Sequence, residues 1–293
     1  MLFSIIIPTY NRALILRETV LSVLSQSYKD FEIIVVDDGS TDNTKQTIEE
    51  LNNNQIKYFY KKNEERSIAR NYGADNANGE YLIFLDSDDE MGEGHLLSIY
   101  CFLKEKEFKP KFIFSGYIIL NPDKSLLYEY GLNGICKPNK LFYGNFLGCS
   151  SVIINLNLFK KYYFNANPRL ILFEDWELWL RVIAENELFC FPNKSIIMIN
   201  HEGRSVLNYK AEQIKDKIIF FKNHIIETSV IINKSFLHKR IFLMGIYSYA
   251  ALHIAMTKKN NLIALKYLLL SFTNSPSIIF KRRFFGIIKQ LLF

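Results

Sequence analysis

The feature that most constrains this chain is a switch between two periodicities, repeated over roughly its first ninety residues. Phe3 to Pro8, Phe31 to Val36, Ile56 to Tyr60 and Tyr81 to Leu85 are short apolar runs that suit strands buried on both faces. Between them, residues 13–27, the stretch from Thr41 towards Leu51, and residues 65–78 show helical spacing. Thr41 is placed to cap the second helix, and Asn78-Gly79 to end the third. Strand and helix alternating at this spacing predict an α/β fold with a mainly parallel sheet and helices on its faces. Ligands of such sheets sit beyond the carboxyl ends of the strands. Three polar clusters fall there: Thr9-Tyr10-Asn11-Arg12, Asp37-Asp38-Gly39-Ser40 and Asp86-Ser87-Asp88-Asp89.

From 95 to 205 the pattern is mixed. Helices are expected near 95–107 and 174–186, and strands near 112–119 and 150–154, with a Gly, Pro and Asn-rich stretch at 121–140. Beyond 206 the chain reads as helices broken near Asn233, Lys259-Asn261 and Pro276. The expected organisation is one α/β domain over 1–205, with a donor half at about 1–94 and an acceptor half at about 95–205, then a basic helical region over 206–293.

Charge divides the chain in the same way. The net charge is +6, yet residues 206–293 hold 14 Lys and Arg against 3 Asp and Glu, and no acid follows Glu227. Residues 1–205 hold 22 basic and 27 acidic side chains, so the two parts face different partners. The 293 residues, 49% hydrophobic, are enough for a sizeable core. An aromatic share of 15% is high, and either core packing or contact with an apolar surface absorbs it. Cys101, Cys136, Cys149 and Cys190 form no CxxC pair and read as buried thiols in a reducing, cytoplasmic compartment. Met1 to Pro8 has no basic n-region, which argues against a signal peptide. Ile241 to Met256 is short for a bilayer span and contains Tyr247, Tyr249 and His253, so it is expected as a buried helix.

Three carboxylates in Asp86-Ser87-Asp88-Asp89 repel one another unless a cation neutralises them. Hard oxygen ligands suit Mn²⁺ or Mg²⁺, while a solvated acidic turn is the plainer alternative. Met91 stands where a calcium EF-hand needs glycine. Asp38 can accept hydrogen bonds from a base or ribose, or simply belong to a turn. Neither GxGxxG nor GxxxxGK[ST] occurs, so dinucleotide and P-loop readings lack their glycines.

Ile5-Ile6-Ile7-Pro8-Thr9-Tyr10-Asn11-Arg12, Val35-Val36-Asp37-Asp38-Gly39-Ser40-Thr41-Asp42, Ala69-Arg70-Asn71-Tyr72-Gly73 and Phe84-Leu85-Asp86-Ser87-Asp88-Asp89 resemble family 2 glycosyltransferases of the GT-A fold. The resemblance continues through Glu174-Asp175-Trp176-Glu177-Leu178-Trp179-Leu180-Arg181 and His201-Glu202-Gly203-Arg204-Ser205 and covers residues 1–205. It implies a nucleotide-sugar donor, UDP-linked by family tendency, held by Pro8, Thr9, Tyr10, Arg12, Asp38, Arg70, Asp86 and Ser87, with Asp38 facing the base. It implies Asp88 of the DXD motif as ligand to Mn²⁺ or Mg²⁺, with His201 beside the metal or diphosphate. It implies Asp175 as the base that deprotonates the acceptor hydroxyl, and inversion at the anomeric carbon. Each residue keeps its plainer reading: Asp175 as a helix-dipole partner, His201 as a structural histidine, Trp176 and Trp179 as packing residues, and Arg70 as a surface residue.

In 276–293, Arg282, Arg283, Lys289 and Gln290 share one helical side, and Phe280, Phe284, Ile287, Ile288 and Leu291 the other. Such a helix lies on an anionic membrane surface or docks on its own domain, and the missing acids favour the membrane. No nucleic-acid motif accompanies the charge. The expectation is an inverting glycosyltransferase, peripheral on the cytoplasmic face of the inner membrane, acting on a glycan or lipid-linked acceptor in polysaccharide or lipopolysaccharide synthesis. The alternatives are a non-catalytic nucleotide-sugar-binding subunit, and an interaction protein whose acid clusters are only turns.

Overall fold

The computed structural model describes residues 1–201, 209–258 and 260–292, and these form two compact units. The first comprises 1–136, 147–166 and 186–201.

The first unit is built on one sheet. Its strands are β1 (Phe3–Thr9), β2 (Phe31–Asp37), β3 (Ile56–Tyr60), β4 (Tyr81–Phe84), β5 (Asp89–Met91), β6 (Phe112–Leu120), β7 (Leu126–Tyr130), β8 (Gly134–Cys136), β9 (Val152–Asn155) and β10 (Leu188–Ile199). The sheet order is β3-β2-β1-β4-β9-β6-β10-β5, with β7 on β6 and β8 on β10. The first four strands pair in parallel. Every residue of β1 and β2 is buried, as expected of strands covered on both faces. Beyond β4 the pairing is mixed: β9 runs antiparallel to β4 and β6, while β6 and β10 are parallel.

The helices of this unit are α1 (Ala13–Leu24), α2 (Thr44–Glu49), α3 (Arg66–Asp75), α4 (His95–Lys104) and α5 (Leu156–Tyr162). Leu16, Val20 and Val23 of α1 join β1, β2 and β4 in the core. Gly73 lets α3 approach β1 closely, since a Cβ there would lie 2.5 Å from Ile6 Cγ2. Thr41 does not cap α2, which begins three residues later, after Asn43. The carboxylate of Asp42 accepts the Thr44 N–H at 3.1 Å and supplies that first turn instead. No strand is expected from sequence over 188–199, yet β10 is the longest in the sheet. Its pairing with β6 shifts register between Phe191 and Ile196, around Pro192. A bulge there breaks the alternation by which a strand is read from sequence.

The second unit comprises 137–146, 167–185 and 202–293. Its helices are α6 (Glu174–Ile183), α7 (Ala211–Thr228), α8 (Val230–Asn233), α9 (Phe236–Met256), α10 (Asn261–Asn274) and α11 (Arg282–Leu292). Segments 137–146 and 167–185, read in sequence as parts of the first domain, pack here. Aromatic packing explains their place. Phe173 stacks on Phe221 at 4.6 Å, and Trp176 lies 5.2 Å from Phe221 and 5.9 Å from Phe242. Trp176 and Trp179 are fully buried packing residues.

Two other expectations change. Cys101 is exposed, while Cys136, Cys149 and Cys190 are buried, and none of the four forms a disulfide among the described residues. Arg283 does not share an outward face with Arg282. Its Nη1 donates to the carbonyls of Tyr143 and Gly245, each at 3.2 Å, and to Ser248 Oγ at 3.1 Å. Gly144 leaves the room, since a Cβ there would lie 2.5 Å from Arg283 Nη2. Carbonyls that need donors turn this arginine inward, which a helical wheel cannot register. Among the described residues no helix is long and apolar enough to cross a membrane.

Candidate functional site

The polar clusters at the ends of β1, β2 and β4 come together in the first unit. The loops after β1 and β2 are stitched by short bonds. Asp38 N–H donates to the Thr9 carbonyl at 2.8 Å, Asn11 N–H to Ser40 Oγ at 2.8 Å, and Thr41 N–H to Asn11 Oδ1 at 2.7 Å. Asn11 and Gly39 both have positive φ, at 51° and 88°, which turn the chain sharply at the strand ends. Asp37 braces its turn by accepting from Ser40 N–H and from the Tyr58 hydroxyl. Burial and that bond to Asp37 push the Tyr58 phenol well above its usual range.

Pro8 and Thr9 are buried and Tyr10 is 49% exposed at the mouth of this cluster. The Thr9 hydroxyl is buried and meets no hydrogen-bonding partner among the described residues. A buried hydroxyl in that state carries a desolvation cost of about 1–3 kcal/mol, which a bound polar ligand would relieve.

Asp38 is buried, and one of its two oxygens already has protein partners. Lys61 Nζ lies 2.7 Å from its Oδ1, and Glu64 N–H donates to the same oxygen at 3.1 Å. Burial opposes the charge on Lys61, but bonds to Asp38 and Glu64 outweigh it and raise its pKa. Arg70 is buried, not a surface residue. Its Nη2 lies 2.6 Å from Asp86 Oδ1, and the guanidinium sits 5.2 Å from the centre of the Phe164 ring. Ser87 is buried, and its carbonyl accepts from Thr19 Oγ1 at 3.0 Å.

The three carboxylates after β4 are separated rather than crowded. Asp86 faces Arg70 and Asp89 accepts from Ser150 Oγ. Asp88 Oδ2 lies 2.7 Å from Arg12 Nη1 and 3.1 Å from His201 Nε2. Arginines thus pair with two of the three carboxylates, and a serine hydroxyl donates to the third. Among the described residues no three His, Cys, Asp or Glu side chains form a metal-holding group. The pair Asp88 and His201 offers one oxygen and one imidazole nitrogen. That donor set fits a hard divalent ion that takes its other ligands from phosphate and water. Glu202, Gly203, Arg204 and Ser205 lie outside the described residues.

Asp175 lies in the second unit, at the second position of α6. Its Oδ2 accepts from Asn145 Nδ2 at 2.8 Å and its Oδ1 from the Trp176 N–H at 2.7 Å. Leu172, at φ 88°, bends the chain just before the helix and donates its N–H to buried Glu174 at 2.8 Å. A non-glycine residue in that region is strained, and the surrounding contacts hold it. Asn145, Lys61 and Leu172 carry no recognisable pattern in the sequence. Lys61 directly follows the run Ile56 to Tyr60, a position that by itself marks no role.

Residues 4–115 match the family described as Glycosyl transferase family 2. An uncharacterised glycosyltransferase of Rickettsia typhi is 31% identical over 222 residues, which are 73% of this chain and 69% of that protein. The chain belongs to glycosyltransferase family 2. Among other family relatives is the UDP-Glc:alpha-D-GlcNAc-diphosphoundecaprenol beta-1,3-glucosyltransferase of Escherichia coli. It is 30% identical, and the match covers 64% of this chain and 72% of that one. The chain spans about a third of the length of some relatives: its match to a Rickettsia conorii glycosyltransferase, 36% identical, covers 30% of that protein.

Solved structures agree on the family's GT-A fold. Staphylococcus aureus TarS in complex with UDP-GlcNAc superposes with a TM-score of 0.60 at 18% identity, covering 95% of this chain and 92% of that one. A mannosyltransferase of Pyrobaculum calidifontis, in complex with GDP-Man and Mn²⁺, gives 0.61 at 13% identity, covering 99% and 84%.

Proposed function

We propose that this family 2 chain transfers a sugar from a nucleotide-diphosphate donor to a lipid-linked or glycan acceptor in cell-surface polysaccharide synthesis, with inversion. The observation that carries the reading is the buried Thr9 hydroxyl beside Asp38, at strand ends that also bring Arg12, Asp88 and His201 together. Thr9 and Asp38 would take the nucleoside, and Arg70 with Asp86 the ribose side. Arg12 would meet the diphosphate, an anion that its guanidinium matches in charge and shape. The Escherichia coli relative's name, with its UDP-Glc donor and diphosphoundecaprenol acceptor, favours a UDP-sugar and a lipid-linked acceptor here too.

Asp88 and His201 would hold Mn²⁺ or Mg²⁺, which when bound offsets charge developing on the leaving diphosphate. Asp175 would accept the proton of the attacking acceptor hydroxyl, with Asn145 fixing the carboxylate. Direct displacement needs no second carboxylate as nucleophile, and inversion follows. The acid-free stretch after Glu227, together with exposed Phe280, Phe285 and Leu292, supports attachment to the cytoplasmic face of a membrane.

The test is a donor screen by thermal melting with UDP, GDP, dTDP and CDP, each with and without Mn²⁺. A ligand that binds only the folded chain raises Tm. One nucleotide is expected to stabilise the protein in a metal-dependent way, and Asp88→Ala to remove that stabilisation. No shift with any nucleotide in a well-folded protein overturns the reading. Unchanged glycan synthesis by Asp175→Asn in cells would assign the chain to the non-catalytic alternative.

A further inference from the structure

The second unit contains a cavity of about 330 Å³ between α7, α9 and α10, a volume at the lower end of ligand pockets. Its wall is apolar where Ile218, Ile219, Ile263 and Leu270 meet. Lys215, Lys222 and Lys266 stand around it. Lys215 has a loose partner, Glu212 at 3.5 Å, and Asp216 is the other acid of that turn. Lys222 and Lys266 have no ion-pair partner among the described residues. A positive rim over an apolar wall is the complement of an anionic headgroup joined to a hydrocarbon chain. Lysine suits that role because its stem lies along apolar surface while its ammonium reaches the anion.

The same helix supplies a second observation. Leu262, Leu265, Leu269 and Phe272 of α10 are 84%, 52%, 62% and 42% exposed, in one stripe at helical spacing. The cavity residues Ile263, Lys266 and Leu270 each follow a member of that stripe by one position, about 100° round the helix. The cavity mouth and an exposed apolar stripe therefore lie on adjoining flanks of α10. No acid lies on α9, α10 or α11 to repel an anionic surface.

We propose that this cavity takes the phosphate headgroup and first methylenes of an anionic membrane lipid, with the α10 stripe resting in the interface. This deepens the membrane part of the reading above and does not depend on the transfer reaction. Lys222 and Lys266 hold the phosphate and Ile263 and Leu270 pack the chain.

The experiment uses the full chain and four probes: dodecyl phosphate, dodecanol, inorganic phosphate, and vesicles of phosphatidylcholine with or without phosphatidylglycerol. Dodecyl phosphate is expected to bind about tenfold or more tightly than either dodecanol or phosphate, since only it satisfies both rim and wall. Lys222→Ala/Lys266→Ala is expected to lose about tenfold in that affinity, and Ile263→Trp, which fills the cavity, to abolish it. Flotation with phosphatidylglycerol vesicles should fall in both variants. Equal binding of dodecanol, or an unchanged double variant, overturns the proposal. So does loss of dodecyl phosphate binding with flotation undiminished, because the occupant is then not a membrane lipid. Nucleotide-dependent melting, measured on the same variants, verifies their folding and keeps a failure here distinct from a failure of the donor site.

Discussion

One oxygen of Asp88 is shared by Arg12, 2.7 Å away, and by His201, 3.1 Å away. The carboxylate that the family motif assigns to a metal is therefore also paired with a guanidinium. A cation and an arginine cannot both take that oxygen at full strength. Removing Arg12 should favour metal bound alone and weaken the diphosphate. In Arg12→Ala, Mn²⁺ binding without nucleotide, followed by electron paramagnetic resonance, is expected to tighten about tenfold, or about 1.4 kcal/mol. Nucleotide affinity in the presence of metal should fall. Unchanged Mn²⁺ affinity would place the metal away from Asp88.

Asp175 and Asn145 should separate binding from turnover. Asp175→Asn removes the one carboxylate of the three in the first turn of α6 that is not buried, and kcat is expected to drop by about 10²–10⁴. Nucleotide affinity should stay within about twofold of wild type, which by the affinity relation is a negligible energy. Asn145→Ala leaves the carboxylate but frees its orientation. A smaller loss in kcat, with a shifted acid limb in the pH profile, is the expected signature. Steady-state kinetics with the donor identified by melting measure both.

Glu177 is buried under Arg181, with paired bonds of 2.8 Å, and under His224 at 3.3 Å. Glu177→Ala leaves that arginine without its carboxylate in a half-buried setting. Urea unfolding is expected to show a loss of about 2 kcal/mol, within the range for bonds to charged groups. Because Arg181 retains some solvent, the loss should be less than for a fully enclosed pair.

His95 supplies a pH dependence with a definite sign. Burial lowers its pKa from 6.5 to about 3, and Ser195 Oγ lies 2.6 Å from Nδ1. The unfolded chain therefore binds a proton between those values that the folded chain refuses. The contribution of this group is fully present above pH 6.5 and is lost as the pH falls towards 3. The expected slope is about 1.4 kcal/mol per pH unit in that window. His95→Asn, which can keep the contact to Ser195, should flatten the slope measured by urea unfolding across the same range.

Much of the first unit was legible in the sequence. The apolar runs at β1 to β4 have one reading because a strand buried on both faces must be apolar throughout. Their polar ends must then lie at one rim of a parallel sheet, and Thr9, Asp38 and Asp88 fall at that rim. The repeated block order also carried the family. Short range order sufficed because each of these features is local.

Tertiary structure decided the rest. Which partner answers each carboxylate depends on side chains far apart in the chain: Lys61 on Asp38, Arg70 on Asp86, and Arg12 with His201 on Asp88. Periodicity could not show that Pro192 sits in a bulge of the longest strand, or that Arg283 turns inward to backbone carbonyls. Segment 167–185 joins the helical unit because Phe173 and Trp176 find Phe221 and Phe242 there. Local sequence fixes which face of an element is apolar, whereas the partner for that face is chosen only when the whole chain packs.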